Sequence, residues 1–438
     1  MSNVVWGNLV RRFGCSGIVI AAMALGGCSG ELSGGSDELP PSESGAGGGA
    51  ETGDTDPNGR ARNAGTGGTG DPGEPIDPGA SGGDPIDPGP GGAGGNPDDP
   101  GLGSGGSGGS PRPPQGSIPM FVAQGHAGRT VVSCDDGRSW VGNQSNDDSL
   151  RCFSPYDCDH DAGAARGITW GDGWFFATFG WGTPGGVLRS RNGVNWETAL
   201  SGTTFGGVNY GNGRLVAASR SARYSDDEGS TWNDSGDTAL TVWNVRRSGF
   251  VPSHGGRFLM AASDSSAEIT VSADGRAWSL PTSIPSSCGG GMQNDGGFAY
   301  GNGTIVAIGS DSIACRSTDG GDTWTSTGIG GTLTSQIVWT GSEFMVWGSG
   351  KLYRSANGSS WSSANTSPGN LRLGPVAVSN DGTLVAVRGG WQVWYGDQEF
   401  YRSTDGVNWQ TLAADKFVGS HPIRFIAFGH GQKPAACP

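Results

Sequence analysis

From residue 133 onward the chain writes one short polar turn seven times. Three copies have the form Ser-x-Asp-x-Gly-x-x-Trp: SCDDGRSW at 133–140, SDDEGSTW at 225–232 and STDGGDTW at 317–324. Four are one residue shorter: SRNGVNW at 190–196, SADGRAW at 272–278, SANGSSW at 355–361 and STDGVNW at 403–409. Their acidic or amide residue and their tryptophan are Asp135 and Trp140, Asn192 and Trp196, Asp227 and Trp232, and Asp274 and Trp278. The remaining pairs are Asp319 and Trp324, Asn357 and Trp361, and Asp405 and Trp409. Successive tryptophans lie between 36 and 56 residues apart. A spacing of that order matches one four-stranded blade of a β-propeller.

A second phrase recurs between the turns: VNYGNGRLVAAS, FAYGNGTIVAIGS and VAVSNDGTLVAVRG. Each reads as a strand, a tight turn and another strand, the signature of a β-hairpin. The Ser-Asp-Gly turn then joins the third strand of a blade to its fourth. Gly takes the positive φ there, and Asp or Asn bonds back to the turn backbone. The tryptophan serves as an apolar anchor, large enough to pack on a neighbouring blade. The first repeat opens at MFVAQGHAGRTVVSCDDG, on what reads as its second strand. IRFIAFGHGQ, near the C-terminus, supplies the missing innermost strand. The expected fold is therefore all-β: a seven-bladed β-propeller of four-stranded blades over 116–438, closed when the C-terminal strand joins the first blade.

These turns resemble the Asp-box, or BNR, repeats of sialidase-like β-propellers, over residues 121–438. In that family the box lies on the face opposite the ligand site. The resemblance therefore implies a structural role for the seven turns. Seven-bladed members include xyloglucan hydrolases and non-catalytic assembly factors. The chain departs from an active sialidase. The family's Arg-Ile-Pro phrase is here SIP at 117–119, and no Tyr nucleophile with a Glu partner can be placed.

Ahead of the repeats, Arg11 and Arg12 precede the apolar run GIVIAAMAL, which is too short for a permanent membrane span and reads as an export signal over 1–27. It ends in LGGCSG, which looks like a bacterial lipobox with Cys28 as the acylated residue. Several acyl chains on Cys28 would anchor the protein to a membrane, and Ser29 in place of Asp points to the outer membrane. Residues 28–115 are Gly-, Pro- and Asp-rich and lack the apolar content of a core, so a disordered linker is expected. Residues 29–115 hold fourteen acidic and three basic residues, so the linker carries most of the formal charge of −14. The overall acidity thus says little about the partner of the folded part.

Six cysteines remain after Cys15 of the signal and Cys28. Six allow fifteen pairings, and export favours oxidation. The favoured pairs are Cys152 with Cys158, Cys288 with Cys315, and Cys134 with Cys437. The loop DCDHDAG spaces Asp157, Asp159 and Asp161 as calcium loops do. Its Gly is one position late and no Glu closes it, so calcium is a weak candidate and no other cofactor is expected. No nucleotide loop, zinc motif or nucleic-acid-binding basic patch is present in the sequence.

Two constellations could bind a ligand on the face away from the turns. One is aromatic: Trp181, and Trp391, Trp394 and Tyr395 in the loop VRGGWQVWYGDQEF. Such rings stack on the flat faces of sugars or pack between blades. The other is a set of arginines at the start of innermost strands: Arg166, Arg247 (beside Arg246), Arg372 and Arg424. A guanidinium grips carboxylate bidentately, and sialidases hold their substrate's carboxylate with three arginines. The expectation is a monomeric, non-catalytic surface lipoprotein of the bacterial outer membrane that binds a glycan or protein partner. The alternative is a glycoside hydrolase or lyase acting on an acidic polysaccharide.

Overall fold

The computed structural model describes residues 113–125, 129–142, 165–180, 185–240, 245–262, 268–288, 297–309, 313–388, 399–412 and 423–438. They form seven four-stranded antiparallel sheets, with one short 3-10 turn at Ser286–Cys288. The protein is a seven-bladed β-propeller.

Blade 1 has the strand order β28-β1-β2-β3. Here β1 is Ile118–Gly125, β2 Thr130–Ser133, β3 Val141–Gly142 and β28 Ile423–Gly431. The last strand of the chain thus pairs antiparallel with the first, with Phe121 opposite Phe428 and Ala123 opposite Ile426. The ring closes as the sequence implied. Blades 2 to 7 follow in chain order, each built from four consecutive strands. Their innermost strands are β4 (Ala165–Gly171), β8 (Gly207–Gly211), β12 (Val245–Val251), β16 (Phe298–Gly301), β20 (Val338–Trp339) and β24 (Leu373–Val378).

The hairpin tips beside the innermost strands show why the sequence uses Asp-Gly and Asn-Gly there. Asp172 and Gly173 have φ of 51° and 79°, and Asn212 and Gly213 have 51° and 74°. Two successive positive φ values define the turn whose twist suits a β-hairpin. The glycine just before each tip has a different task. A Cβ on Gly171 would sit 2.2 Å from the ring of Tyr210, in the next blade. The bare backbone there is the seat of the neighbour's aromatic ring.

No blade has a core of its own. Seven apolar clusters fill the seven junctions between successive blades. Met120, Val122 and Val132 of blade 1 pack on Ile168, Phe175 and Ala177 of blade 2. Leu352 and Trp347 of blade 6 pack on Leu384 and Trp409 of blade 7. A blade removed from the ring would expose both faces, so the blades fold together.

Among the described residues, two disulfides add to this framework. Cys134–Cys437 ties the turn of blade 1 to the tail that follows β28, across a sequence separation of 303. Cys288–Cys315 joins the segment entering blade 5 to β18 (Ile313–Ser317) of that blade. Both are pairs that the sequence favoured. Cys28, Cys152, Cys158, Asp157, Asp159 and Asp161 lie outside the described residues.

Candidate functional site

The ring has two unlike ends. At one, each blade turns from its third strand to its fourth through a Ser-Asp-Gly-Trp turn; at the other, the chain passes from blade to blade. We refer to them as the turn end and the link end.

Within a turn, serine and Asp form a small closed circuit. In blade 5 the Ser317 hydroxyl donates to Asp319 at 2.8 Å and accepts from the N–H of Gly321 at 2.9 Å. The Asp319 carboxylate accepts the N–H of Thr323 at 2.9 Å and its hydroxyl at 2.5 Å. The Trp324 ring N–H then donates to the Gly321 carbonyl at 2.9 Å. Partial burial pushes the Asp319 carboxyl up, but the donors from Thr323 and Ser317 outweigh it and hold it at about 2. Burial likewise raises Asp135, Asp274 and Asp405, and the same kind of donors carries each below the usual carboxylate range. In Asp227 the Thr231 hydroxyl is the foremost cause of a lowered value. Asn192 and Asn357 fill the same position with a neutral oxygen, the latter accepting from Ser355 at 3.2 Å.

The turn also joins blades, a role the sequence did not reveal. Arg402 of blade 7 donates through Nε to the Asp136 carbonyl of blade 1 at 2.7 Å. Arg189 of blade 2 reaches the Glu228 carbonyl of blade 3 at 2.6 Å, and Arg316 of blade 5 the Asn357 carbonyl of blade 6 at 2.8 Å. Arg214 of blade 3 reaches the Asp274 carbonyl of blade 4, and Arg257 of blade 4 pairs with Asp322 of blade 5 at 2.7 Å. The Trp347 ring N–H of blade 6 donates to the Gly406 carbonyl of blade 7 at 2.8 Å. The Gln432 N–H, just past β28, donates to the Arg191 carbonyl of blade 2 at 2.7 Å. Every junction therefore has a donor from one blade fixed on the turn of the next.

The turn's glycine belongs to the same contact. A Cβ on Gly275 would meet Val216 of the preceding blade at 2.4 Å. Only a bare α-carbon lets the turn lie that close. The signal for the clasp was in plain sight, since RS opens four of the seven turns: Arg189, Arg316, Arg354 and Arg402 stand directly before the serine. Arg354 is the exception, lying 3.7 Å from Glu343 of its own blade.

At the link end the innermost strands carry an irregularity instead of a clasp. In β4 the register passes from Ala165 opposite Phe179 to Gly167 opposite Thr178, leaving Arg166 as the extra residue of a bulge. In β28 it passes from Ile423 opposite Gly125 to Phe425 opposite Gln124, leaving Arg424. In β12 it passes from Val245 opposite Ala262 to Arg247 opposite Ala261, leaving Arg246. So one bulge, with arginine at the extra position, recurs in blades 1, 2 and 4. Arg247 is a register-paired neighbour of the bulge residue. Arg372 is exposed and precedes β24, outside the equivalent position. The register brings Arg166 and Arg424 to one level and does not place Arg247 or Arg372 there.

Arg166 is half-buried and its Nε donates to the Gly180 carbonyl at 2.9 Å. It also lines a cavity inside the ring, together with Ile168, Asn209, Ser248, Phe298, Gln336 and Phe425, contributed by six of the seven blades. Asn209 is buried and donates to the Ser248 hydroxyl at 2.6 Å. The water-accessible volume of the cavity is about 50 Å³. Drug-sized ligands occupy pockets of about 300–1,000 Å³, so no sugar ring fits within it. Trp181, Trp391, Trp394 and Tyr395 lie outside the described residues. Among the described residues no group of three or more His, Cys, Asp or Glu side chains is placed to hold a metal ion.

No protein-family model matches the chain, and no similar curated protein is found. Some solved structures are similar to it at low identity. YCF48 bound to a D1 peptide is 14% identical, covering 66% of this chain and 92% of its own, with a TM-score of 0.44. YCF48 from Cyanidioschyzon merolae is 16% identical, covering 59% and 87%, with a TM-score of 0.40. Virginiamycin B lyase from Staphylococcus aureus is 10% identical, covering 60% and 91%, with a TM-score of 0.44. The likeness is one of fold, which hosts many unrelated functions.

Proposed function

We propose that the chain is a lipid-anchored, non-catalytic binding module that takes a carboxylated or sulfated glycan or protein partner at the link end of the ring. The anchor in this reading is Cys28, held in a bacterial outer membrane. The observation that carries it is the recurrent bulge with Arg166, Arg246 and Arg424 at the extra position. A bulge re-aims the side chain it releases from the ladder, and guanidinium matches carboxylate and sulfate oxygens through paired donors. The three positions fall in blades 1, 2 and 4, on one side of the ring. At the turn end, arginines of one blade are fixed on the turn of the next. The chain also enters the ring at the turn end, where Pro114 lies against the hairpin tip at Gly173.

The test is a binding survey of the exported chain against acidic and neutral glycans and peptides. Carboxylated or sulfated ligands should bind preferentially, and binding should weaken with salt as charges are screened over about 8 Å at physiological ionic strength. Arg424→Ala should cost on the order of 1.5–3 kcal/mol of that binding, the worth of a hydrogen bond to a charged group. Equal binding of neutral ligands would overturn the reading. Shortened glycan products would replace it with a hydrolase or lyase. Palmitate labelling that persists in Cys28→Ala would remove the anchor.

A further inference from the structure

We infer that the cavity inside the ring is itself a binding site, for a single carboxylate-sized oxyanion. Its volume is the first reason. At about 10–15 Å³ for each water position, the cavity of about 50 Å³ holds roughly four non-hydrogen atoms. That is the size of acetate, or of one carboxylate at the end of a longer ligand.

The chemistry of the wall is the second reason. Arg166 is a cation on it, and among the described residues no Asp or Glu lines it. Asn209 and Ser248 add an amide and a hydroxyl that are already bonded to one another. Gln336, on the opposite side, is only 4% exposed and its amide oxygen has no hydrogen-bond partner. A buried amide left unmatched costs free energy, and its two ends exchange by a simple flip. A small anion in the cavity would take an N–H from the flipped Gln336 amide and be attracted by the positive charge of Arg166 on the wall. Ile168, Phe298 and Phe425 close the remaining wall with apolar surface, which strengthens such contacts.

This site deepens the preceding proposal, because Arg166 belongs to both, yet it fails separately. The mouth reading fails on polyanion binding and Arg424→Ala; the cavity fails on small acids and Gln336.

The experiment follows thermal unfolding of the exported chain at constant ionic strength, with acetate as probe. A ligand of four heavy atoms binds no tighter than about 10–100 µM, so the titration runs into the millimolar range. Acetate should raise Tm in a saturable manner. Acetamide, the same shape without charge, should not. Gln336→Leu should abolish the acetate response. Two peptides, one with a free C-terminal carboxylate and one amidated, then separate the sources. If the free carboxylate alone acts like acetate, the cavity takes the end of a larger ligand; if neither peptide acts, it takes a free small acid.

A second variant keeps the test sound if Gln336→Leu fails to fold. Gln336→Glu places a carboxylate in the cavity permanently. If the cavity favours an anion, that carboxyl's pKa is depressed, and the variant gains stability above the ordinary Glu range and loses it as pH falls. Its Tm should be higher at pH 7 than at pH 4, with no response to acetate. A Tm that rises as pH falls, or equal responses to acetate and acetamide, would show a water-filled cavity and overturn the inference.

Discussion

The turn end and the link end are built from the same seven blades and treat polar groups in opposite ways. At the turn end, the serine, the Asp or Asn and the arginine mostly find partners, inside the turn or on the next one. At the link end, three innermost strands spend a ladder position on a bulged arginine, and Gln336 holds an unmatched oxygen beside a cavity. A group satisfied by its neighbours has its whole role in the fold. A group displaced from its ladder or left unmatched costs stability and is a candidate for binding instead. The contrast gives the turn end its role in stability, and in the reading proposed above the link end is where recognition occurs.

The largest effect that would sharpen this contrast comes from the closure. Cys437→Ser cuts the covalent tie between blade 1 and the tail, and should destabilise by about 2–5 kcal/mol. Chemical denaturation would measure it, and a loss below about 1 kcal/mol would mean that the β28 pairing alone closes the ring. Trp347→Ala should have an effect of the same size. The residue is fully buried and its ring N–H holds the turn of blade 7, so about 3–5 kcal/mol should be lost. Trp347→Phe keeps most of the bulk and isolates the hydrogen bond at about 1 kcal/mol.

Acid provides a graded test of the turns. Asp319 is held at about 2, below its ordinary 3.8. A carboxyl with a depressed folded pKa contributes stability above its unfolded value, and that contribution is lost as pH falls through the folded one. Unfolding free energy should therefore drop between about pH 4 and pH 2, and Asp319→Asn should flatten part of that slope while blade 5 stays folded. Asn192 and Asn357 already show that the neutral amide fits the turn. An unchanged acid slope in Asp319→Asn would remove this carboxylate as a source of stability.

The smallest stability effect should come from the link end. Arg424→Met keeps the apolar stem and removes the charge from a bulge position. It should shift stability by less than about 1 kcal/mol while weakening the binding of carboxylated ligands. A large loss of stability with unchanged binding would reverse the roles of the two ends.

Much of this was legible in the residues. Seven copies of one turn, the Asn-Gly and Asp-Gly hairpins and the spare strand at 423–431 lead directly to a closed seven-bladed ring. So do two disulfides, because each joins segments that the blade pattern already places side by side. These features are local, and turn chemistry reads from a few neighbouring residues.

What the residues could not settle lies between blades. Arg402 stands in RSTDGVNW like any polar residue, and only the approach of blade 1 makes it a clasp on Asp136. Tyr210 reads as half of a turn phrase until its ring is seen over Gly171 of the preceding blade. Arg246 and Arg247 are adjacent and chemically equal in the sequence. The bulge separates them in register, since Arg246 is the extra residue and Arg247 stands opposite Ala261. The sequence alone determined the repeating unit, its number and its closure, all of which are periodic and local. The tertiary structure alone decided which arginine clasps a neighbour, which one falls at the extra position of a bulge, and where an amide oxygen is left without a partner. Those outcomes depend on distances of a few ångströms between strands some forty or more residues apart in the chain.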